Sequence, residues 1–139
     1  MDSSVLKNSM ISLMAKNIFK NNFYPLVDFM PLEEYNEILS TCSIVVMNHL
    51  RQQAGGNIIV MLYLGANIFL NKENQFFQFL KNRGAIIFTM DELNNENICN
   101  NLTHDQVDIN RNILRNIFSE DVIINKTKNM IDIVMQRQY

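Results

Sequence analysis

The stretch that organises this chain is His49-Leu-Arg51-Gln-Gln-Ala-Gly55-Gly56-Asn57-Ile58-Ile-Val-Met-Leu-Tyr-Leu64-Gly65-Ala66. It predicts a polar loop that leads into a buried helix over 58–64, with Asn57 as the N-cap and Gly65 as the residue that ends the helix. Two adjacent glycines allow the backbone to approach a ligand closely, and the first N–H groups of the helix favour a phosphate. Arg51 would add a charge-assisted contact. The pattern also suits an ordinary strand-to-helix connection, because it contains neither a dinucleotide-binding fingerprint nor a P-loop.

Apolar runs of strand length alternate with helical patterns along the chain. The predicted strands are 24–29, 43–47, 67–70 and 85–88. One helix is predicted up to about residue 21, and a second helix starts at Pro31. Two further helices cover 58–64 and 73–82, and Gly84 ends the last of them. This alternation over short connections predicts an α/β fold, a Rossmann-like parallel sheet flanked by helices. A polar loop over 94–101 and two helices over 105–135 follow, with Ser119 as the N-cap of the second helix.

A sheet of this kind binds ligands at the carboxyl ends of its strands, beside the helix N-termini. In this chain that edge holds Met30-Pro31, the loop 49–57 and Asn71-Lys72-Glu73-Asn74. His49 could contact a phosphate or a sugar hydroxyl there, or it could be a loop histidine that bonds only to backbone. No two carboxylates form an acid–base arrangement and no Ser or Cys has the context of a nucleophile, so the sequence identifies no catalytic base.

Composition excludes several classes of protein. The 139 residues correspond to a single domain, and the net charge of −2 with a pI near 5.6 argues against a nucleic-acid partner. The longest apolar region, 58–70, is interrupted by polar and glycine positions and is too short to span a membrane. Cys42 and Cys99 stand alone, as expected for buried, reduced thiols. Because no signal peptide is visible either, the chain is expected in the cytoplasm.

A set of motifs in a fixed order gives the chain a family resemblance. The motifs are Phe29-Met-Pro-Leu-Glu-Glu-Tyr35, Cys42, Asn48-His-Leu-Arg-Gln-Gln-Ala-Gly-Gly-Asn57, Leu64-Gly65 and Phe88-x-x-Asp91-x-Leu93. Together they resemble the 4-acetamido-4,6-dideoxygalactose transferases. These are the TDP-N-acetylfucosamine:lipid II N-acetylfucosaminyltransferases of enterobacterial common antigen synthesis and related enzymes of bacterial polysaccharide pathways. The resemblance lies within residues 1–93 and is carried by the part from about Ile18 to Leu93.

This resemblance implies the C-terminal half of a glycosyltransferase of GT-B architecture. That half would bind a TDP-sugar donor in an inverting reaction that requires neither a metal nor a cofactor. The acceptor would be a lipid-linked oligosaccharide, bound through a missing N-terminal domain. The enzyme would work at the cytoplasmic face of the bacterial inner membrane, where it can associate peripherally with the lipid.

The resemblance also implies roles for particular residues. The donor diphosphate would be bound by Arg51, Gly55, Gly56, Asn57 and Lys72. The sugar would be contacted by His49, Gln52, Gln53 and Asn74. The base pocket would be lined by Phe29, Met30 and Pro31. Two departures stand out: many GT-B enzymes hold the ribose with a Glu in the helix that corresponds to 58–64, which has no acidic residue here, and Gln75 stands where a proline is expected.

Two other functions fit the same sequence. A non-catalytic Rossmann-like module that binds a nucleotide or a protein is the main alternative, and another domain encoded upstream would favour the transferase instead. A flavodoxin-like signalling domain would need an acidic cluster or a flavin loop at the strand ends, and the sequence shows neither.

Overall fold

The computed structural model describes residues 3–51 and 53–136, in two units divided between Tyr35 and Asn36. The first unit contains α1 (Ser3–Phe19), a 3₁₀ turn (Lys20–Asn22) and the start of α2 (Leu32–Ser40). The prediction of a strand over 24–29 is wrong: the backbone there forms no strand or helix. Pro25 has no N–H group to pair, and the side chains of Tyr24 and Val27 are exposed, so burial does not stabilise an extended pairing.

The start of α2 agrees with the sequence. Pro31 directly precedes the helix, and its carbonyl accepts a hydrogen bond from the Tyr35 N–H at 3.0 Å. Glu33 and Glu34 lie in the first turn, where carboxylates interact favourably with the helix dipole.

Three strands form the sheet of the second unit within its described residues: β1 (Ile44–Met47), β2 (Asn67–Leu70) and β3 (Phe88–Thr89). Their order is β1-β2-β3 and both pairings are parallel, with Ile44 opposite Asn67 and Phe69 opposite Phe88. The predicted α/β class with a parallel sheet is therefore confirmed. β1 was expected to be buried on both faces, but as an outer strand it leaves Val46 half exposed.

The helices of this unit are α3 (Gly55–Leu64), α4 (Gln75–Lys81), α5 (Asn95–Cys99), α6 (His104–Phe118) and α7 (Glu120–Gln136), with a 3₁₀ turn at Met90–Glu92. The two predicted C-terminal helices are confirmed, and the Ser119 carbonyl between them accepts a hydrogen bond from the Ile123 N–H at 3.0 Å. The loop predicted over 94–101 is wrong, since the Asn94 side chain caps α5 by accepting from the Asn97 N–H at 2.9 Å. None of the described helices is both long and apolar enough to cross a bilayer.

The main apolar core lies on one face of the sheet. Ile68 and Leu70 of β2 point to this face, while Asn67 and Phe69 alternate to the other, where Phe69 stacks on Phe88 with ring centroids 5.1 Å apart. The core is completed by buried side chains of three helices and the segment before β3: Ile58, Met61, Leu62, Phe76, Phe77, Leu80, Leu114, Ala85 and Ile87. Phe76, Phe77 and Leu80 are the residues that the helical spacing predicted to point inward.

The two ends of α3 differ in how well the sequence predicted them. Gly65 ends the helix as expected, in a left-handed conformation with φ 97°, and its N–H bonds back to the carbonyls of Met61 and Leu62. The N-cap, however, is Ala54 and not Asn57, and the first helical bond runs from the Ile58 N–H to the Ala54 carbonyl at 3.0 Å. The helix begins earlier because the left-handed Ala54 turns the chain before the glycines.

The third strand is shorter than predicted and starts later. Within the segment 85–87, the Ile86 N–H donates to Asn110 Oδ1 at 2.7 Å, and Asn110 Nδ2 donates to the Ile86 carbonyl at 3.1 Å. The buried Asn110 of α6 thus satisfies both backbone groups of Ile86, and the ladder with β2 begins only at Phe88. Gly84 is left-handed with φ 83°, as its predicted place at the end of the preceding helix requires.

The two cysteines are free, as expected, but they are exposed and not buried. Cys42 follows the end of α2 and donates to the Ile38 carbonyl at 3.5 Å, whereas Cys99 is the last residue of α5. Both lie at helix ends on the surface, which the isolated positions in the sequence did not indicate.

Candidate functional site

Three connections leave the carboxyl ends of the parallel strands and define one edge of the sheet. They are the segment from Asn48 to α3, the segment from Asn71 to α4, and the Met90–Glu92 turn. Asn48 and Asn71, each the first residue after its strand, are joined by a hydrogen bond from Asn71 Nδ2 to Asn48 Oδ1 at 2.9 Å. The first two connections are therefore held side by side at the place where open α/β sheets bind ligands.

The turn after β2 is fixed by its own side chains. Asn71 Oδ1 accepts from the Glu73 N–H at 2.9 Å, and the Asn71 carbonyl accepts from the Asn74 N–H at 3.0 Å. Gln78 on α4 adds a bond from Nε2 to the Lys72 carbonyl at 2.6 Å. The helix predicted from 73 consequently starts at Gln75, because Asn74 is its N-cap.

Asn74 is buried and lies under the loop that follows β1. Its side chain is 1% exposed, with Oδ1 accepting from the N–H groups of Phe76 at 2.9 Å and Phe77 at 3.3 Å. Nδ2 donates to the carbonyls of His49 at 3.0 Å and Arg51 at 3.3 Å. The sugar contact expected for Asn74 would require some of these bonds to break, because a primary amide has no further strong donor or acceptor position.

The N-terminus of α3 forms a concave group of backbone N–H donors. A left-handed residue, Ala54 (φ 51°, ψ 34°), is followed directly by the helical Gly55, and this alternation turns successive N–H groups toward one point. The N–H groups of Gly55 and Gly56 precede the first helical hydrogen bond, which is donated by Ile58. A Cβ added to Gly56 would meet no atom within 4 Å, so the surface here is open.

Two cations stand at the same edge of the sheet. Arg51 is exposed. Within the described residues of the second unit, its guanidinium forms neither an ion pair nor a hydrogen bond. Lys72 Nζ lies 3.2 Å from Asp91 Oδ2, with both side chains more than half exposed. An ion pair this exposed contributes less than about 1 kcal/mol, so a ligand anion can compete with Asp91 for the ammonium group.

His49 is half buried between these groups. Its carbonyl accepts from Asn74 Nδ2, and its Nδ1 lies 3.5 Å from the same amide nitrogen. The imidazole thus lies against a side-chain amide, and the ligand contact of His49 stays a prediction.

Glu92 closes the third connection and remains ionised there. The Thr89 backbone N–H donates to Glu92 Oε2 at 2.7 Å, which is the largest cause of a lowered pKa, and the Thr89 hydroxyl donates at 2.9 Å. A carboxylate with a lowered pKa is a poor general base at neutral pH. Glu92 therefore caps the turn and does not supply the missing base.

The remaining predicted site residues are distributed unevenly. Gln52 lies outside the described residues, and Gln53 is exposed in the loop before Ala54. Phe29 and Met30 line a groove of about 320 Å³ within the first unit, together with Leu26, Asp28, Leu32 and Tyr35. Pro31, which directly precedes α2, is not among the residues that line this groove.

A second groove, of about 310 Å³, lies between α3 and α6 and is chemically unlike the sheet edge. Its lining is almost entirely apolar, and Arg115, its charged residue, donates from Nη2 to the Tyr63 hydroxyl at 3.0 Å. Because it offers no converging donors, it does not suit a diphosphate.

Sequence reasoning missed Asn48 and Asp91 as parts of this edge. Asn48 had a usable signal, since it and Asn71 each directly follow a parallel strand and such positions are neighbours in a sheet. The pairing of Asp91 with Lys72 depends on the place of β3 and had no sequence signal.

A comparison with known protein families assigns the chain to a family. The model of the family described as 4-alpha-L-fucosyltransferase glycosyl transferase group 56 matches residues 8–128. The chain belongs to this family. Comparisons with curated proteins and with solved structures give no match. Membership of the group 56 family confirms the glycosyltransferase class that the sequence motifs predicted.

The group 56 match also extends the region that the motifs covered. Those motifs end at Leu93, whereas the matched residues continue through α6 into α7. The C-terminal helices are therefore part of the family's shared sequence and not an unrelated addition. A group 56 enzyme transfers a sugar from a nucleotide-sugar donor to a glycoconjugate acceptor. Open α/β sheets bind ligands at the edge described above, which makes that edge the candidate site for the donor.

Proposed function

We propose that this chain is the donor-binding part of an inverting, metal-independent glycosyltransferase of GT-B architecture. The donor is a TDP-sugar that carries an N-acetylated amino-deoxy sugar, and the acceptor is a lipid-linked oligosaccharide at the cytoplasmic face of a bacterial inner membrane. The family match supports the class of reaction, and the motifs from Phe29 to Leu93 support the choice of sugar and acceptor.

The observation that carries the proposal is the N-terminus of α3 beside two cations. The N–H groups of Gly55 and Gly56, with the positive end of the helix dipole, suit the donor diphosphate. Asn57 follows them in the first turn of the same helix. Arg51 lies on the connection that leads into α3 and Lys72 on the connection that leads into α4, and both would offset the negative charge.

The chemistry assigned to these groups is stabilisation of the leaving nucleotide. When the bond between the anomeric carbon and the β-phosphate breaks, negative charge develops on the diphosphate oxygens. Fixed N–H donors and a guanidinium aimed at those oxygens stabilise this charge more than the ground state, which lowers the barrier. His49 and Gln53 are the predicted sugar contacts that this arrangement leaves in place.

Base recognition by Phe29, Met30 and Pro31 of the first unit stays a prediction, independent of the diphosphate site in the second unit. The groove lined by Phe29 and Met30 offers an aromatic side chain and apolar walls, which suit a pyrimidine ring. Ribose recognition needs a group other than an acid of α3, since that helix has no acidic residue over its whole length.

The catalytic base belongs to the acceptor side of the enzyme in this scheme. In a GT-B enzyme the reaction takes place between two domains, so residues 1–139 on their own are expected to bind donor without turning it over. Transfer or hydrolysis of a TDP-sugar by the purified chain would contradict this assignment.

The test of the donor site is Arg51→Ala. Loss of a charge-assisted contact worth roughly 1.5–3 kcal/mol should weaken binding of thymidine 5′-diphosphate about ten- to a hundred-fold in a calorimetric titration. The thermal melt should hardly change, because an exposed loop side chain has little core packing.

Arg83→Ala is the matched control. Arg83 lies just past the C-terminal end of α4. Its Nη1 donates to the Phe79 carbonyl at 2.9 Å, and its guanidinium lies 3.7 Å from the Phe79 ring centroid. This variant should lower the melting temperature slightly and leave nucleotide affinity unchanged. If Arg51→Ala behaves like Arg83→Ala, the diphosphate site is wrong and the non-catalytic module becomes the better interpretation.

A further inference from the structure

Asn74 joins two parts of the sheet edge that are 23 residues or more apart in sequence. On one side its Oδ1 caps α4, and on the other its Nδ2 bonds to two carbonyls of the loop after β1. A single buried amide thus fixes the backbone of His49 and Arg51 against the start of a core helix.

The hydrogen-bond capacity of this side chain is completely used. A primary amide offers two donors and an oxygen with two acceptor positions. Asn74 bonds to four backbone groups, and its Nδ2 also lies 3.5 Å from His49 Nδ1. At 1% exposure, water cannot easily replace a lost partner, so breaking one side of the bridge leaves unpaired polar groups.

The loop needs such a fixed point for Arg51 to act. The guanidinium of Arg51 is exposed. Within the described residues of the second unit, Arg51 is held by the hydrogen bond that its carbonyl accepts from Asn74 Nδ2. Three residues later, Ala54 adopts the left-handed conformation that non-glycine residues avoid. Both features require the preceding backbone to be held in place.

We propose that Asn74 is a positioning residue that holds Arg51 and the α3 N-terminus in the arrangement that binds the donor diphosphate. This inference rests on the proposed function for the ligand, but the bridge itself can be tested without any ligand. It reassigns Asn74 from a predicted sugar contact to a residue that acts through the loop above it.

Asn74→Asp separates the two halves of the bridge. The carboxylate keeps an oxygen that caps α4, and it replaces the donating Nδ2 by an acceptor that faces the carbonyls of His49 and Arg51. Asn74→Ser is a neutral second variant that also retains a capping oxygen and avoids a buried charge. If the Asp variant fails to fold, the Ser variant answers the same question.

Asn110→Asp is the matched control, because Asn110 is equally buried and also bridges backbone groups. Its bonds to the Ile86 N–H and carbonyl lie at the segment before β3 and not at the donor edge. It should therefore lose stability as Asn74→Asp does, without affecting the loop.

The experiment measures backbone ¹⁵N relaxation order parameters of His49, Leu50 and Arg51, together with calorimetric titration of thymidine 5′-diphosphate. In the Asn74 variants we expect these order parameters to fall from about 0.85 to below about 0.6, and nucleotide binding to weaken at least about tenfold. In Asn110→Asp the order parameters should stay near those of the wild type, and the affinity within about twofold.

Unchanged order parameters of the loop in both Asn74 variants would overturn the inference, whatever happens to binding. Lowered order parameters with unchanged nucleotide affinity would equally overturn the positioning role. If the wild-type chain does not bind the nucleotide although the Asn74 variants loosen the loop, the bridge stands and the proposed function fails.

Discussion

Helices α6 and α7 are neighbours in the chain and both are amphipathic, but only α6 is packed into the core. Leu114 of α6 is 3% exposed and Asn110 is fully buried, whereas Ile131 and Val134 of α7 are about half exposed. The difference shows that a helical pattern of apolar residues determines where a helix forms, while burial depends on whether a complementary surface exists.

The complementary surface for α6 is α3 and the segment that follows it. Gly65 leaves room for Val107, Arg111 Nε donates to the Tyr63 carbonyl at 2.9 Å, and Asn110 satisfies Ile86. For α7, the described hydrogen bond to its neighbour is a long one, from Lys126 Nζ to the Ile117 carbonyl at 3.4 Å. The packing of α6 is specific, and α7 keeps most of its apolar face in solvent.

The largest expected effect is that of Leu114→Ala. Removing a buried leucine leaves a cavity between α6 and the core, which should cost about 2–5 kcal/mol of unfolding free energy. The matched variant on the exposed helix, Ile131→Ala, should cost less than about 1 kcal/mol. Urea unfolding followed by far-ultraviolet circular dichroism measures both. Equal costs would mean that α7 is packed in solution and would remove the contrast between the helices.

Gly65→Ala tests how closely α6 approaches the end of α3. The residue has φ 97°, and an added Cβ would lie 3.0 Å from Val107 Cγ2, so backbone strain and crowding add to about 1–3 kcal/mol. Gly84→Ala is the control, because it has φ 83° but an added Cβ meets no atom within 4 Å. Thermal melts should show a larger loss for Gly65→Ala, and Val107→Ala in the same chain should reduce that excess. If both glycine variants lose the same stability, the contact with Val107 is unimportant.

The smallest effect concerns Glu92, whose interactions, like those of α7, are exposed to solvent. Its pKa is lowered from 4.5 in the folded chain, mainly by the Thr89 backbone N–H, so its contribution to stability is present above the unfolded pKa and is lost as the pH falls through the folded pKa. The wild type should lose slightly more stability than Glu92→Gln on acidification from about pH 5.5 to 3. If the free energies of unfolding of the two proteins fall equally over this pH range, the assigned role of the Thr89 contact is contradicted.

Local patterns in the sequence determined much of this protein. The bounds of β2, the inward side chains of α4, the left-handed glycines that end two helices and the pair of C-terminal helices all follow from periodicity or from backbone preferences. The ordered motifs predicted a glycosyltransferase, and the family match confirms that class. The candidate site was predicted as an edge of the sheet with cations at Arg51 and Lys72, and the ligand contacts assigned to its residues stay predictions.

Tertiary structure decided how the polar side chains are used, and buried asparagine shows this most clearly. Asn74, Asn110 and Asn67 look alike in the sequence, but Asn74 bridges two connections at the edge of the sheet, Asn110 shortens β3, and Asn67 bonds to the carbonyls of Asn97 and Asn100. An amide can bond to any backbone group that packing brings within about 3 Å, so its partner is determined by contacts between distant segments and not by its neighbours in the chain.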